Sequence, residues 1–391
     1  MQIWLVGGAV RDELLGLDPV ERDWVVVGAT PEALEADGFR RVGRDFPVFL
    51  HPETGEEYAL ARTERKSGHG YHGFTFHAGP EVTLEEDLGR RDLTINAMAR
   101  DTDGHLIDPW GGRADLEARL LRHVSPAFTE DPLRVLRVAR FAARFAPLGF
   151  QVADETRELM RSMSASGELD WLVPERAWQE TARALADPAP RRYFEVLMDC
   201  DALPRVLPEL VQLFATDADP TPATALDHAT QATTDASIRL ASLCFALAPQ
   251  GPLAALGERL PIPRRWLELA RATSQWHMDC IQLPMEPADP ATVHEVLSGL
   301  DALRRPDHFE AVMTACDAIA AARDDHDAWR RRRDLLERAL AAIQAVNGST
   351  LAAEGWRGGA LGQELERRRK AAIAHLIGAD GGSRPHAGRS E

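Results

Sequence analysis

The sequence predicts an α+β protein in which a mixed strand-and-helix head precedes a long helical body. Two observations carry this. Short β-branched runs separated by turn signals crowd residues 1 to 125. From residue 126 onward Ala, Leu, Arg and Glu dominate, and strand patterns nearly vanish.

The elements follow in order. Gln2–Val6 is a strand candidate, Ala9–Leu15 a helix, and Asp23–Gly28 a β-branched strand. Pro47–His51, Glu56–Ala61 and His105–Ile107 are further strand candidates. Ser67–Pro80, rich in Gly and His, has the composition of a mobile loop. Thr83-Leu84-Glu85-Glu86 is a capping box, predicting a helix that runs to about Met98. Leu133–Phe145 and Arg176–Ala186 read as strong helices. Asp217–Thr234, with its Thr, Pro and Asp, reads as a linker or long loop. Further helices are punctuated by Pro284, Pro287 and Pro290, and Gly378–Glu391 reads as a disordered tail.

Composition narrows the function classes. The chain has 391 residues, 45 Lys+Arg against 61 Asp+Glu, and a formal net charge of -16. That argues against a DNA-coating or polybasic membrane-surface protein, yet a basic stripe on an acidic body still suits a nucleic-acid enzyme. No stretch approaches the roughly 20 apolar residues of a membrane span, and the N-terminus lacks a signal-peptide pattern, so a cytoplasmic location is expected. Cys200, Cys244, Cys280 and Cys316 form no C-x-x-C pair and read as buried small hydrophobes.

Two constellations carry chemistry. Gly7-Gly8-Ala9-Val10-Arg11-Asp12 joins a strand to a helix. Glycine lets backbone approach a ligand closely, free helix N–H groups suit a phosphate, and Arg11 adds a charged fork. The spacing is neither that of a dinucleotide fold nor of a P-loop. The second is Glu21-Arg22-Asp23 before Trp24-Val25-Val26-Val27. Residues i and i+2 of a strand share a face, so the two acids project together and repel unless a cation such as Mg²⁺ lies between them. Each fragment alone also reads as an ordinary turn or a charged strand start.

Together they resemble the nucleotidyltransferase superfamily of DNA polymerase β. Three later motifs narrow this: Arg90-Arg91-Asp92-Leu93-Thr94-Ile95-Asn96-Ala97, Glu130-Asp131-Pro132-Leu133-Arg134, and Glu175-Arg176-Ala177-Trp178-Gln179-Glu180. Their order over about residues 1–210 resembles the bacterial class II tRNA nucleotidyltransferases, the CCA-adding and poly(A) polymerase family. The resemblance implies a polymerase-β-like head (1–125), then an all-helical neck that recognises the base (126–215), body (216–345) and tail (346–391). It implies template-independent addition and repair of the tRNA 3′-terminal CCA from CTP and ATP. The implied partners are the tRNA 3′ end, ATP and CTP, with no DNA, no membrane, and a monomer or weak dimer. By matching position, Glu21 and Asp23 are catalytic and bind Mg²⁺, Gly8, Arg11, Arg91, Arg137 and Arg140 contact the nucleotide, and Asp131 and Arg134 read the base.

Physical chemistry supports that last assignment. Cytosine and adenine each carry an exocyclic amine beside a ring-nitrogen acceptor; a carboxylate accepts from the first and an arginine donates to the second. Guanine and uracil place a carbonyl where the amine would be. Asp131 also reads as a helix cap before Pro132, and the two roles are compatible. Arg134, Arg137, Arg140 and Arg144 share one helical face with no acid between Pro132 and Gly149, so an anionic partner would relieve them, although a solvated basic face is the alternative. Arg330–Arg333 and Arg367–Lys370 read equally as tRNA phosphate contacts or as solvated surface.

The sequence departs from the family pattern at two places. Relatives usually carry Asp-x-Asp where Glu21 stands; Glu57, on a neighbouring strand, is a candidate third carboxylate. Many relatives also carry an HD phosphohydrolase motif, and here Phe245 and Ala246 stand where His-Asp is expected. The rival readings are a poly(A) polymerase and a catalytically impaired tRNA-binding protein.

Overall fold

Hydrophobic alternation builds the first sheet. In β1 (Gln2–Val6) and β2 (Asp23–Val27), Trp4, Val6, Val25 and Val27 pack on one face and Ile3, Trp24 and Val26 on the other. These belong to a computed structural model that describes residues 1–19, 21–42, 48–66, 74–215, 217, 219 and 221–381. The chain divides into two compact units, Met1–Ala215 and Thr216–Glu391.

In the first unit, α1 (Gly8–Leu14) follows β1, and α2 (Pro31–Ala36), capped by Thr30, follows β2. Then come β3 (Arg40–Val42), β4 (Val48–Leu50), β5 (Glu57–Leu60), β6 (Thr63–Lys66) and β7 (Phe74–His77). The expected capping box is present at Thr83, where α3 (Leu84–Gly89) starts. After it come β8 (Ala99–Arg100), β9 (Leu106–Ile107), α4 (Gly112–Ala118) and β10 (Leu120–Leu121). Among the described residues seven strands form one sheet in the order β3-β4-β5-β2-β1-β8-β9, in which β2 and β5 run parallel. Beyond it, α5 (Leu133–Phe145) is followed by β11 (Gln151–Val152), which pairs with β10. Next are α6 (Asp154–Ala165), α7 (Pro174–Ala186), α8 (Pro190–Asp199) and α9 (Leu203–Val206).

The structure corrects several expectations. The capped helix stops at Gly89, not near Met98. A Cβ on Gly89 would lie 2.7 Å from the Trp110 ring, so the chain passes close there and turns. Asp92 then accepts from Leu93 N at 2.8 Å and from Asn96 Nδ2 at 2.9 Å, local bonds that compete with a helix. Residues 74–77 of the expected loop form β7, paired with β6; residues 67–73, with His69, Tyr71 and His72, lie outside the described residues.

The second unit is helical. Its helices are α10 (Thr221–Ala232), α11 (Ala236–Cys244), α12 (Pro252–Arg259), α13 (Arg264–Ile281), α14 (Pro290–Gly299), α15 (Pro306–Ala322), α16 (His326–Gln344), α17 (Gly348–Ala353) and α18 (Gly358–Gly381). The expected linker is therefore largely helix. Its Thr and Pro lower local propensity, but Ala223, Ala225, Leu226 and Ala229 bury one face, and packing decides. Gly378–Gly381, expected to be disordered, end α18, and residues 382–391 lie outside the described residues. All four cysteines are free and buried. The basic runs carry protein ion pairs: Arg332 with Asp325 at 3.2 Å, Arg333 with Glu337 at 2.6 Å, Arg367 and Arg368 with Glu364 at 2.7 and 2.8 Å. These four span three, four or seven residues, the spacing of a helix surface that pairs with itself, while Arg333 also pairs with Glu310 and Asp317 of α15 and Arg368 with Glu354.

Candidate active site

The β1–β2 register places Val6 opposite Asp23, so an acid stands beside the glycine turn. Gly7 carries the constraint there: its φ is +71°, and a Cβ would lie 2.7 Å from Arg91 Nη1. A Cβ on Gly8, the residue the sequence singled out, would only reach ordinary contact with Arg11 Nη2 at 3.4 Å. Gly7→Ala is therefore expected to cost about 1–3 kcal/mol from the positive-φ backbone alone, and to displace Arg91. Thermal unfolding checks the first effect.

Gly7, Gly8, Glu21 and Asp23 line one cleft of about 540 Å³. Among its described lining residues are nine arginines and four carboxylates, so a protein of net charge -16 presents a cationic cleft. Asp23 keeps access to solvent, but the surrounding protein raises its carboxyl above the ordinary value; Arg91 opposes that rise and Glu21 adds to it. A carboxylate so disfavoured calls for a further cation. Glu21 and Asp23 are hard oxygen donors, which suit a divalent ion such as Mg²⁺. Glu57 pairs with Asp23 across β2 and β5 and lines a neighbouring groove that Glu21 and Asp23 also line, but it is not among the residues lining the arginine cleft. Among the described residues, the one trio of acid or histidine ligand atoms within 4.8 Å of one another is Asp101, Asp103 and His105. These residues form a turn in which the Asp101 carboxylate accepts from the Asp103 and His105 backbone N–H groups.

Buried carboxylates aim the arginines. Asp87, fully buried, accepts from Arg90 Nη2 at 2.7 Å, Arg91 Nη2 at 3.2 Å and Arg62 N at 3.2 Å. Asp92 accepts from Arg137 Nε at 2.7 Å as well as from Leu93 and Asn96. Arg90 and Arg91 hold the Asp87 carboxyl below its usual range, and Arg137 and Asn96 do the same for Asp92. Arg11, itself buried, donates from Nε to Asp12 at 2.8 Å and from Nη1 to Asn96 Oδ1.

The basic face of α5 lines the cleft as expected, but its relief is partly internal. Arg137 pairs with Asp92, Arg140 with Glu180 at 2.6 Å, and Arg144 with Asp12 at 3.0 Å. Acids from outside the helix supply what the helix lacks. Arg134 donates to the Ala127 carbonyl at 2.8 Å. Asp131 accepts from Leu133 N at 3.0 Å, a cap-like bond, and Arg176 grips both its oxygens at 3.3 and 2.8 Å. Sequence reasoning missed Asp12, Asp87, Asp92, Arg176 and Glu180 as parts of the site. For Asp12, Asp92, Arg176 and Glu180 the available signal was an acid or arginine standing inside the same motifs, R-D, R-R-D and E-R-x-x-x-E; Asp87 lies three residues ahead of R-R-D and had no such signal.

Residues 3–122 match the family described as the poly A polymerase head domain, and residues 149–213 match a probable RNA and SrmB-binding site of polymerase A. The chain is 51% identical over 414 residues to a protein of Thioalkalivibrio sulfidiphilus named multifunctional CCA protein, covering 98% of this chain and 100% of that one. A Pseudomonas putida W619 protein named CCA-adding enzyme is 52% identical over 374 residues, covering 95% and 98%. The chain belongs to the family of CCA-adding enzymes. A solved structure, the Bacillus stearothermophilus CCA-adding enzyme in complex with CTP, matches at a TM-score of 0.65 and 26% identity, covering 97% of this chain and 89% of that one. Members of this nucleotidyltransferase family generally use divalent metals. Among the described residues of this CCA-adding family member, no helix is long and apolar enough to cross a membrane.

Proposed function

We propose that the chain completes and repairs the 3′-terminal CCA of tRNA, without a template, by transferring CMP and AMP from CTP and ATP. The observation that carries this is the meeting of Glu21 and Asp23 with the glycine turn and nine arginines in one cleft. The backbone at Gly7 and Gly8, with Arg11, Arg91, Arg137 and Arg140, binds the triphosphate. Glu21 and Asp23 hold Mg²⁺. When bound, that ion helps to activate the tRNA 3′-hydroxyl and neutralises charge on the leaving pyrophosphate. The arginines stabilise the charge spreading over the transferring group, and because buried acids already fix them, little reorganisation is needed during the reaction.

Asp131 accepts from the exocyclic amine of cytosine or adenine, and Arg134 donates to the neighbouring ring nitrogen. Arg176 pairs with the Asp131 carboxylate, which lines the cleft and offers its oxygens as acceptors. Within this reading residues 1–125 form the transferase head, 126–215 the base-selecting neck, 216–345 the body and 346–391 the tail. The enzyme acts in the cytoplasm as a monomer or weak dimer.

Purified protein incubated with tRNA lacking CCA, and with CTP and ATP separately and together, tests the reading. CCA completion that requires both nucleotides is expected. Tracts of AMP would make the chain a poly(A) polymerase, and tRNA binding without incorporation would make it an impaired relative.

The second unit leads us to propose that phosphohydrolase activity is absent. Where His-Asp is expected, Phe245 is buried and packs edge-on against His277 at 5.0 Å, and alanine at 246 offers no ligand. No turnover of p-nitrophenyl phosphate with Mg²⁺, Mn²⁺ or Ni²⁺ is expected; metal-dependent turnover would overturn this.

A further inference from the structure

Two phenylalanines of α5 lie against the arginines of the cleft. The Phe141 ring centroid is 4.6 Å from Arg140 Cζ, 5.3 Å from Arg11 Cζ and 5.6 Å from Arg137 Cζ. The Phe145 centroid is 5.0 Å from Arg11 Cζ and 5.2 Å from Arg144 Cζ. The rings are nearly parallel, 5.9 Å apart with 4° between planes, and both are buried. Four guanidiniums from α1 and α5 thus share two aromatic faces.

Gathering four cations costs energy, and more so where water is scarce. Asp12, Asp92 and Glu180 offset part of that cost. These acids stand on three separate elements, α1, the 90–97 turn and α7, so each anchors its own arginine and none gathers all four. An aromatic face carries the negative end of a quadrupole and attracts cations from directly above the ring, without needing a hydrogen bond. The two rings therefore give the four arginines a shared point of attraction and leave their remaining N–H donors available to a ligand. Phe141 itself lines the cleft, so this attraction acts beside the ligand.

We propose that Phe141 and Phe145 are positioning residues for polyphosphate binding: their ring faces hold Arg11, Arg137, Arg140 and Arg144 converged on the cleft before a nucleotide arrives. This rests on the reading that these arginines take the triphosphate. The occupant is defined by charge rather than by base, so the effect falls equally on CTP and ATP and on inorganic tripolyphosphate.

The alternative is that the rings are apolar filling. Fluorination separates the two, because each added fluorine withdraws density from the ring face while leaving shape and apolar character nearly unchanged. Full-length protein carrying phenylalanine, 4-fluoro-, 3,5-difluoro- or 3,4,5-trifluorophenylalanine at position 141 is titrated with tripolyphosphate, and competition with CTP is measured. Affinity is expected to fall with each fluorine, reaching about three- to tenfold at the trifluoro ring, with an unchanged melting temperature. Phe141→Leu is expected to weaken binding at least as much, and Phe141→Tyr to retain it. A flat fluorine series, with competition against CTP intact, would overturn this inference alone. Failure of tripolyphosphate to compete with CTP in the unsubstituted protein would overturn the triphosphate reading, and this inference with it.

Discussion

Asp23→Ala is expected to lower CMP incorporation into tRNA lacking CCA on the order of 10³-fold or more, while the protein stays folded. The first effect follows from the lost metal ligand; the second has a cause of its own. Partial desolvation by the surrounding protein raises the Asp23 carboxyl above its ordinary value, so folding disfavours its ionised form. A group whose folded pKa is raised contributes stability at low pH and loses it as pH rises through that value. In metal-free protein at neutral pH, ionised Asp23 therefore costs stability. Removing it should leave the melting temperature unchanged or slightly higher, even as activity disappears. Single-turnover incorporation and thermal unfolding, measured on the same preparation, check both halves. A fall in melting temperature that matches the loss of activity would instead make Asp23 a structural residue.

Asp131→Ala is expected to lower kcat/KM for CTP and ATP between about tenfold and 100-fold, the range for a lost hydrogen bond to a charged group. UTP and GTP should change little, so discrimination collapses. The helix loses a cap-like bond as well, at a cost of about 1 kcal/mol. Asp131→Asn separates the roles. Asparagine still accepts from Leu133 N, which keeps the cap, but its amide adds a donor that suits a carbonyl. The preference should then shift toward UTP and GTP, at a stability cost of up to about 1 kcal/mol from the weakened Arg176 pair. Kinetics with all four nucleotides decide. A uniform loss across them would mean that Asp131 supports the helix and does not read the base.

Much of this site was legible in the chain, for a physical reason. The glycine turn, the Glu21–Asp23 pair and the α5 arginines are each set by local spacing, and strand or helix periodicity puts them on a face. The long-range partners were not legible. Arg144 finds Asp12 across 132 positions, Arg137 finds Asp92 across 45 and Arg140 finds Glu180 across 40. No local pattern encodes such pairs; the fold creates them. The same limit explains the turn at residues 90–97. The capping box correctly marked where α3 begins, but its end depends on Trp110 packing over Gly89 and on the Asp92 bonds, which involve residues beyond the helix. The stretch at 217–234 failed in the opposite direction. Its composition suggested a loop, yet burial of an Ala and Leu face against α11 and α15 made most of it helix.

The most direct test of the account is a crystal of the full chain soaked with CTP and Mn²⁺, with anomalous scattering used to place the metal. The account predicts an anomalous peak bound by Glu21 and Asp23, with the triphosphate against the Gly7 turn and the arginines of α5. A peak at Asp101, Asp103 and His105 with none between Glu21 and Asp23, or a nucleotide seated outside the arginine cleft, would contradict it.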